Sequence, residues 1–269
     1  MSFWDHLEEF RWTIIHIIIA VVVLSILGFI IIPHIFDSVI LAPRNSDFVT
    51  YKFLDKASQF IPFLPDFSAE SFNVKMLNIN MTTQFMTYIS TSFAFGVLCT
   101  IPYILYEIWK FISPALYENE AKGVKQAFGF GGFMFIVGCL VGYFIVFPLI
   151  FRFLITFELS ESIDNMISLD SYMSNFYTLI LIMGLVFELP LVFWLLSSLG
   201  LIYRSFFRTY RRHAVVGSLL AAALITPSGD PFSLIVVTLP IYALWEISAF
   251  VVKKDPPEEE EENLPAIFE

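Results

Sequence analysis

Glu188 stands inside an apolar run at 172–199, and Pro190 follows two positions later. A carboxylate at bilayer depth costs on the order of 3 kcal/mol on insertion scales. Proline has no N–H, so the carbonyl of Val186, four residues earlier, loses its helical donor. Acid and free carbonyl together make a polar patch in an otherwise apolar element. Two uses stay open at this point. The patch receives something polar from outside, whether a partner helix, a proton or a substrate. Otherwise it holds a protonated side chain hydrogen-bonded within its own bundle. Two further acidic segments frame other apolar runs: His6-Leu7-Glu8-Glu9-Phe10-Arg11, and Pro114-Ala115-Leu116-Tyr117-Glu118-Asn119-Glu120. Carboxylates from two segments of one face can converge on a cationic ligand. Arginine suits such a site, because its planar fork pairs bidentately with carboxylate. From charge alone, a solvated acidic edge is the simpler reading.

Other chemistry is thinly represented. The chain has no HExxH, no P-loop and no Gly-x-Ser-x-Gly. Cys99 and Cys139 lie in apolar runs with no CxxC and no zinc spacing, and read as small buried hydrophobes. The four histidines are scattered, and His16 reads as a helix-packing residue. Gly229-Asp230 resembles half of an intramembrane aspartyl protease, but no second intramembrane Asp accompanies it. No catalytic group, metal site or cofactor is expected.

The elements that position these groups follow from composition. Of 269 residues, 57 % are hydrophobic and 15 % charged, against about 45–50 % and 25 % in soluble domains. Mean hydropathy is +0.75. These values exclude a soluble enzyme, a disordered chain and a fibrous protein, and leave a membrane protein. The net charge of −10 misleads: seven acids and no base fall within 255–269, and without them the charge is −3. No basic surface points to nucleic acid. The acidic start before the first run, with Arg11 as its single base, is expected to be a retained span rather than a cleaved signal.

Six spans are expected at about 13–32, 83–108, 128–147, 172–199, 214–225 and 232–252. They form one membrane domain over 1–254, followed by a disordered acidic cytoplasmic tail at 255–269. Pro102 and Pro190 are expected to kink the second and fourth spans. Ten Lys and Arg residues fall on the side of the two termini and five on the other. Both termini are therefore expected in the cytoplasm. The long loop at 33–82 then lies outside, with short helices capping the bundle. The fifth run is odd: twelve helical residues span about 18 Å, against a hydrocarbon core near 30 Å. The fold class expected is all-α, polytopic, six transmembrane helices.

At this point the motifs resemble TatC, the membrane receptor subunit of the twin-arginine protein translocase, from about Phe3 to Lys254. His6-Leu7-x-Glu9-Phe10-Arg11 is similar to the family's His-Leu-x-Glu-Leu-Arg. The stretch from Tyr106-Glu107-Ile108-Trp109-Lys110-Phe111-Ile112-Ser113-Pro114 to Glu120 resembles its first cytoplasmic loop. Tyr143-Phe144 with Phe147-Pro148, Phe187-Glu188-x-Pro190, and Thr226-Pro227 with Asp230 resemble later landmarks, in order.

The resemblance implies a concave bundle that receives Arg-Arg signal peptides of folded proteins at its cytoplasmic face. Glu9 and Glu120 would contact the arginine pair, with Arg11 ordering the N-terminal segment. Glu188 would be the intramembrane polar group facing the concavity or a partner helix. Single-span TatA- and TatB-type subunits would dock along spans five and six, near Thr226, Pro227, Asp230 and Glu246. Self-association, a bacterial-type inner membrane and the proton-motive force complete the implied setting. Three departures stand out: Phe10 in place of Leu, Thr226-Pro227-Ser228-Gly229-Asp230 in place of Thr-Pro-Pro-Asp, and a longer first outer loop. A proton-coupled secondary transporter using Glu188 is the main rival, although the two halves show no repeat symmetry.

Overall fold

The computed structural model describes residues 3–58, 76–112, 118–157, 160, 166–226 and 228–255; of residues 3, 5, 57, 58, 112 and 118–125 only the backbone is described. Helices coincide with all six apolar runs. In chain order they are α1 (Phe3–Ile35), α2 (Val49–Ser58), α3 (Thr83–Ile112), α4 (Glu118–Val141), α5 (Phe147–Thr156), α6 (Leu169–Val186), α7 (Leu189–Ser198), α8 (Arg204–Thr209), α9 (Arg211–Ile225) and α10 (Pro231–Val251). Five helical stretches are long and apolar enough to cross a membrane: His6–Arg44, Thr83–Phe111, Gln126–Thr156, Leu169–Ser198 and Pro231–Val251. The protein is therefore a predominantly helical, multi-pass membrane protein. With 15 residues, α9 is about 22 Å long and stays short of a hydrocarbon core near 30 Å.

Helix ends depart from the apolar runs in both directions. The first helix begins ten residues before its apolar run, because 3–12 contains no proline or glycine to stop it. The third run is one path of three pieces, α4, a π-turn at Gly142–Val146, and α5. One small ladder interrupts the all-helical expectation. Met76–Leu77 (β1) pairs in parallel with Ile167–Ser168 (β2), bringing the start of α3 beside the start of α6.

Prolines inside the helices explain how several side chains are placed. Pro33 leaves the carbonyl of Phe29 without its i+4 donor, and the Tyr88 hydroxyl of α3 donates to that carbonyl. Pro148 does the same to Phe144, and Thr50 of α2 donates to it. In lipid every backbone polar group needs an internal partner, so each proline calls for a hydroxyl on a neighbouring element. Packing is tightest where small residues face each other. A Cβ on Gly96 of α3 would collide with Ser25 of α1, and a Cβ on Gly138 of α4 would lie 2.6 Å from the Met183 carbonyl of α6.

The buried core runs along the α4–α6 seam, with Phe135, Met173, Leu179 and Met183 nearly or wholly inaccessible. It continues under the 36–51 segment, where three tyrosines fasten the chain. Tyr143 donates to the Val39 carbonyl at 2.7 Å, Tyr172 to Ile40 at 2.6 Å, and Tyr51 to Pro43 at 2.8 Å. Arg152 is buried there, its guanidinium 5.4 Å from the centre of the Tyr51 ring. Burial pushes the Tyr51 hydroxyl well above its usual range, partly offset by Arg152. The described first part of the loop expected at 33–82 forms short helices at Phe36–Ile40, Ala42–Arg44 and Val49–Ser58; residues 59–75 lie outside the described residues.

Candidate functional site

The opposite end of the bundle carries the N-terminal acids. The imidazole of His6 stacks on Phe111 of α3, with centroids 4.3 Å apart, and Phe10 tilts against the same ring at 5.6 Å. These two residues lie on one helical face, four positions apart. They fix the first turns of α1 against the last turn of α3. Glu9, between them, is half-buried, and no hydrogen bond or ion pair engages it among the described residues. Arg11 reaches Glu8 at 3.4 Å, with both side chains more than half exposed, and lies 5.7 Å from the Trp12 ring centre. So exposed a pair is weak. Glu120 belongs to the first turn of α4, where a carboxylate complements the helix dipole. Its side chain, like residues 113–117, lies outside the described residues.

Glu188 sits in the break between α6 and α7. Its N–H bonds to the Leu185 carbonyl at 3.1 Å, and its own carbonyl accepts from Val192. Pro190 occupies the first turn of α7, where its missing N–H costs nothing. Pro102, by contrast, lies within an uninterrupted α3. The Glu188 side chain is 8 % exposed, and neither carboxylate oxygen has a hydrogen-bond partner among the described residues. It lies against Gly131 of α4: a Cβ there would come 2.8 Å from Oε2. A buried acid with two open acceptor oxygens can receive a donor carried by another molecule.

The residues near α9 and α10 are engaged within the chain. Asp230 caps α10, accepting from the Ser233 N–H at 2.8 Å and the Ser228 hydroxyl at 2.6 Å. Burial raises its carboxyl, but the hydrogen bonds from Ser228 and Ser233 outweigh that and hold it below the usual range. Thr226 is buried and donates to Ala222 at 2.9 Å. Glu246 accepts from Arg211 at 2.6 Å and from Tyr242 at 2.8 Å. Pro227 lies outside the described residues. The C-terminal end of the described chain returns to the same region. Asp255 accepts the Ser205 N–H at 2.8 Å, which holds its carboxyl below the usual range.

Sequence reasoning passed over Glu107 as a site. It is 3 % exposed, with one oxygen accepting from Tyr103 at 2.6 Å and the other without a partner among the described residues. The available signal was an acid four residues after a tyrosine at the end of an apolar run.

The comparisons with known proteins decide the family. Residues 5–240 match the family described as Sec-independent protein translocase protein (TatC). The chain belongs to the TatC family. A TatC protein of Blattabacterium sp. subsp. Periplaneta americana is 36 % identical over 252 residues, covering 93 % of this chain and 94 % of the relative. That of Helicobacter pylori (strain ATCC 700392 / 26695) is 34 % identical over 199 residues, covering 74 % of this chain and 78 % of the relative. Among solved structures, the crystal structure of the twin arginine translocase receptor TatC superposes with a TM-score of 0.70 at 28 % identity. That match covers 91 % of this chain and 97 % of the other. The TatC family is a protein-translocase component rather than an enzyme family.

Proposed function

We propose that this chain is the signal-peptide receptor of a twin-arginine translocase. Glu9 and Glu120 take the Arg-Arg pair of a folded protein's signal peptide at the cytoplasmic face, and Arg11 orders the N-terminal turn. The observation that supports this most is Glu9. It is a half-buried carboxylate with no partner among the described residues, on a turn held against α3 by His6 and Phe10. A guanidinium pair would satisfy it and would converge with the acidic first turn of α4.

The bundle acts with six spans in a concave arrangement, α9 being the short fifth, both termini in the cytoplasm of a bacterial-type inner membrane. TatA- and TatB-type single-span subunits lie along α9 and α10, whose Val216, Leu220, Leu224, Leu239 and Phe250 side chains are exposed apolar surface. Copies of the chain associate in the working complex, and the proton-motive force drives export. Glu188 offers its two open oxygens to a polar group of the peptide or of a partner helix.

The test is photo-crosslinking with peptides bearing Arg-Arg before an apolar stretch. Adducts are expected on the segments around Glu9 and Glu120, and Glu9→Ala with Glu120→Ala should abolish them. Undiminished adducts in that double variant would remove the basis for the assignment.

A further inference from the structure

Two cavities lie away from His6, one at the far end of the bundle and one nearer its middle. The first, about 670 Å³, opens between the end of α1, the start of α3 and β1; its polar lining includes Asp37, Arg44, Asn78, Gln84 and Thr87. The second, about 630 Å³, lies nearer the middle of α3 and is lined almost wholly by apolar groups such as Phe95, Leu98, Phe135, Leu140 and Ile180. Ile32 belongs to both walls, and Thr87 of the first is one helical turn from Thr91 of the second. Each is in the range of about 300–1,000 Å³ typical of small-molecule sites. A cavity with charged and amide side chains in its wall, beside an almost wholly apolar one across Ile32, has the outline of a single amphiphile.

The charges narrow its chemistry. Arg44 keeps a buried Nε–H with no acceptor among the described residues. Asp37 is exposed and forms no ion pair among them. Arg44 lines the first cavity, and a guanidinium there calls for an oxyanion; phosphate matches its fork. A purely anionic headgroup would leave Asp37 facing like charge. A quaternary ammonium could neutralise Asp37 but has no N–H to donate to it. A primary ammonium does both.

We propose that the two cavities hold one phosphatidylethanolamine molecule. Its phosphate lies on Arg44, its ammonium on Asp37, and an acyl chain runs between α3, α4 and α6. This requires only that the bundle sits in a membrane; it is independent of peptide binding at Glu9 and Glu120.

The experiment reconstitutes the full chain in phosphatidylglycerol vesicles containing a trace of phosphatidylethanolamine with a photoreactive acyl chain. Adducts are expected to concentrate on peptides containing Phe95–Leu98 and Leu140. Labelling should persist against the excess of host phosphatidylglycerol, and unlabelled phosphatidylethanolamine should compete at least about tenfold better than phosphatidylcholine, as expected for charge-assisted bonds. Free inorganic phosphate should not compete. Arg44→Gln should lower labelling about tenfold, and Asp37→Asn should erase the preference for ethanolamine over choline. Labelling spread evenly over the outward face of α1, at Ile18 to Ile30, would mean surrounding lipid only and overturn the proposal. So would wild-type labelling that all lipids compete equally. Displacement by a signal peptide but by no lipid would assign the apolar cavity to the peptide and overturn it as well.

Discussion

The two ends of this bundle treat their polar groups in opposite ways. Around 29–58, Tyr51, Tyr143, Tyr172, Thr50 and Tyr88 each donate to a backbone carbonyl of another segment. Two of those carbonyls are ones that prolines strip of their helical donors. At the other end Glu9 has no bond among the described residues, and deep in the bundle neither oxygen of Glu188 has one. In the first region these hydroxyls and carbonyls face one another and make a scaffold, with Arg44 and Asp37 at its cavity the exceptions. The second leaves acceptor oxygens without a partner among the described residues, which is the capacity the proposed function uses. Buried polar groups that are satisfied hold a fold together, whereas open ones are costly unless something else occupies them.

That contrast predicts where substitutions cost stability and where they cost function. The largest effect belongs to the close helix seam. Gly138→Leu drives a side chain into the Met183 carbonyl and Phe187, and should destabilise by about 3 kcal/mol, measured by reversible unfolding in mixed micelles. Tyr51→Phe deletes a buried hydroxyl shared by the Pro43 and Pro148 carbonyls and should cost about 1–3 kcal/mol in the same assay. Arg-Arg peptide affinity should be unchanged in the molecules that remain folded.

Asp230→Ala removes the cap of α10 and should cost about 1 kcal/mol near neutral pH. Because its folded carboxyl titrates below the ordinary value, its contribution is complete above the unfolded pKa of about 3.9. It is lost as pH falls through the folded value. The gap between wild type and variant should therefore close on acidification below about pH 4; a gap constant with pH would mean that the capping charge contributes nothing. The smallest stability change, under about 1 kcal/mol, is expected for Glu188→Gln, which gives up no bond among the described residues. Peptide binding should survive this change while transport in reconstituted vesicles falls. A large stability loss would move Glu188 to the scaffold side of the comparison.

Much of the scaffold could be read from the residues, because apolar runs and prolines act locally. Each apolar run holds a helix, and Pro190 marks the start of α7. The hydroxyls that answer Pro33 and Pro148 come from 55 to nearly 100 positions away, and no local pattern points to them. The β1–β2 ladder joins segments 91 residues apart and was equally hidden. Asp230 had a local signature, an N-capping acid before a proline with serine three residues on, which a helix-start reading recovers. The carboxylates of the candidate site were visible as acids in improbable places. Which of them lacked partners was not, since that depends on what Gly131 and Phe111 bring alongside.

The central claim is that open carboxylates at the Glu9 end recognise a pair of guanidinium groups. A binding cycle tests it most directly, using Arg-Arg and Lys-Lys versions of one signal peptide against wild type and the Glu9→Gln, Glu120→Gln double variant. Fluorescence titration in nanodiscs should give Arg-Arg at least about a tenfold advantage on the wild type, as bidentate charge-assisted pairing requires. That advantage should vanish in the double variant, leaving a coupling term specific to these residues. Equal affinity of the two peptides for the wild type, or an arginine preference that persists without the carboxylates, would contradict the account.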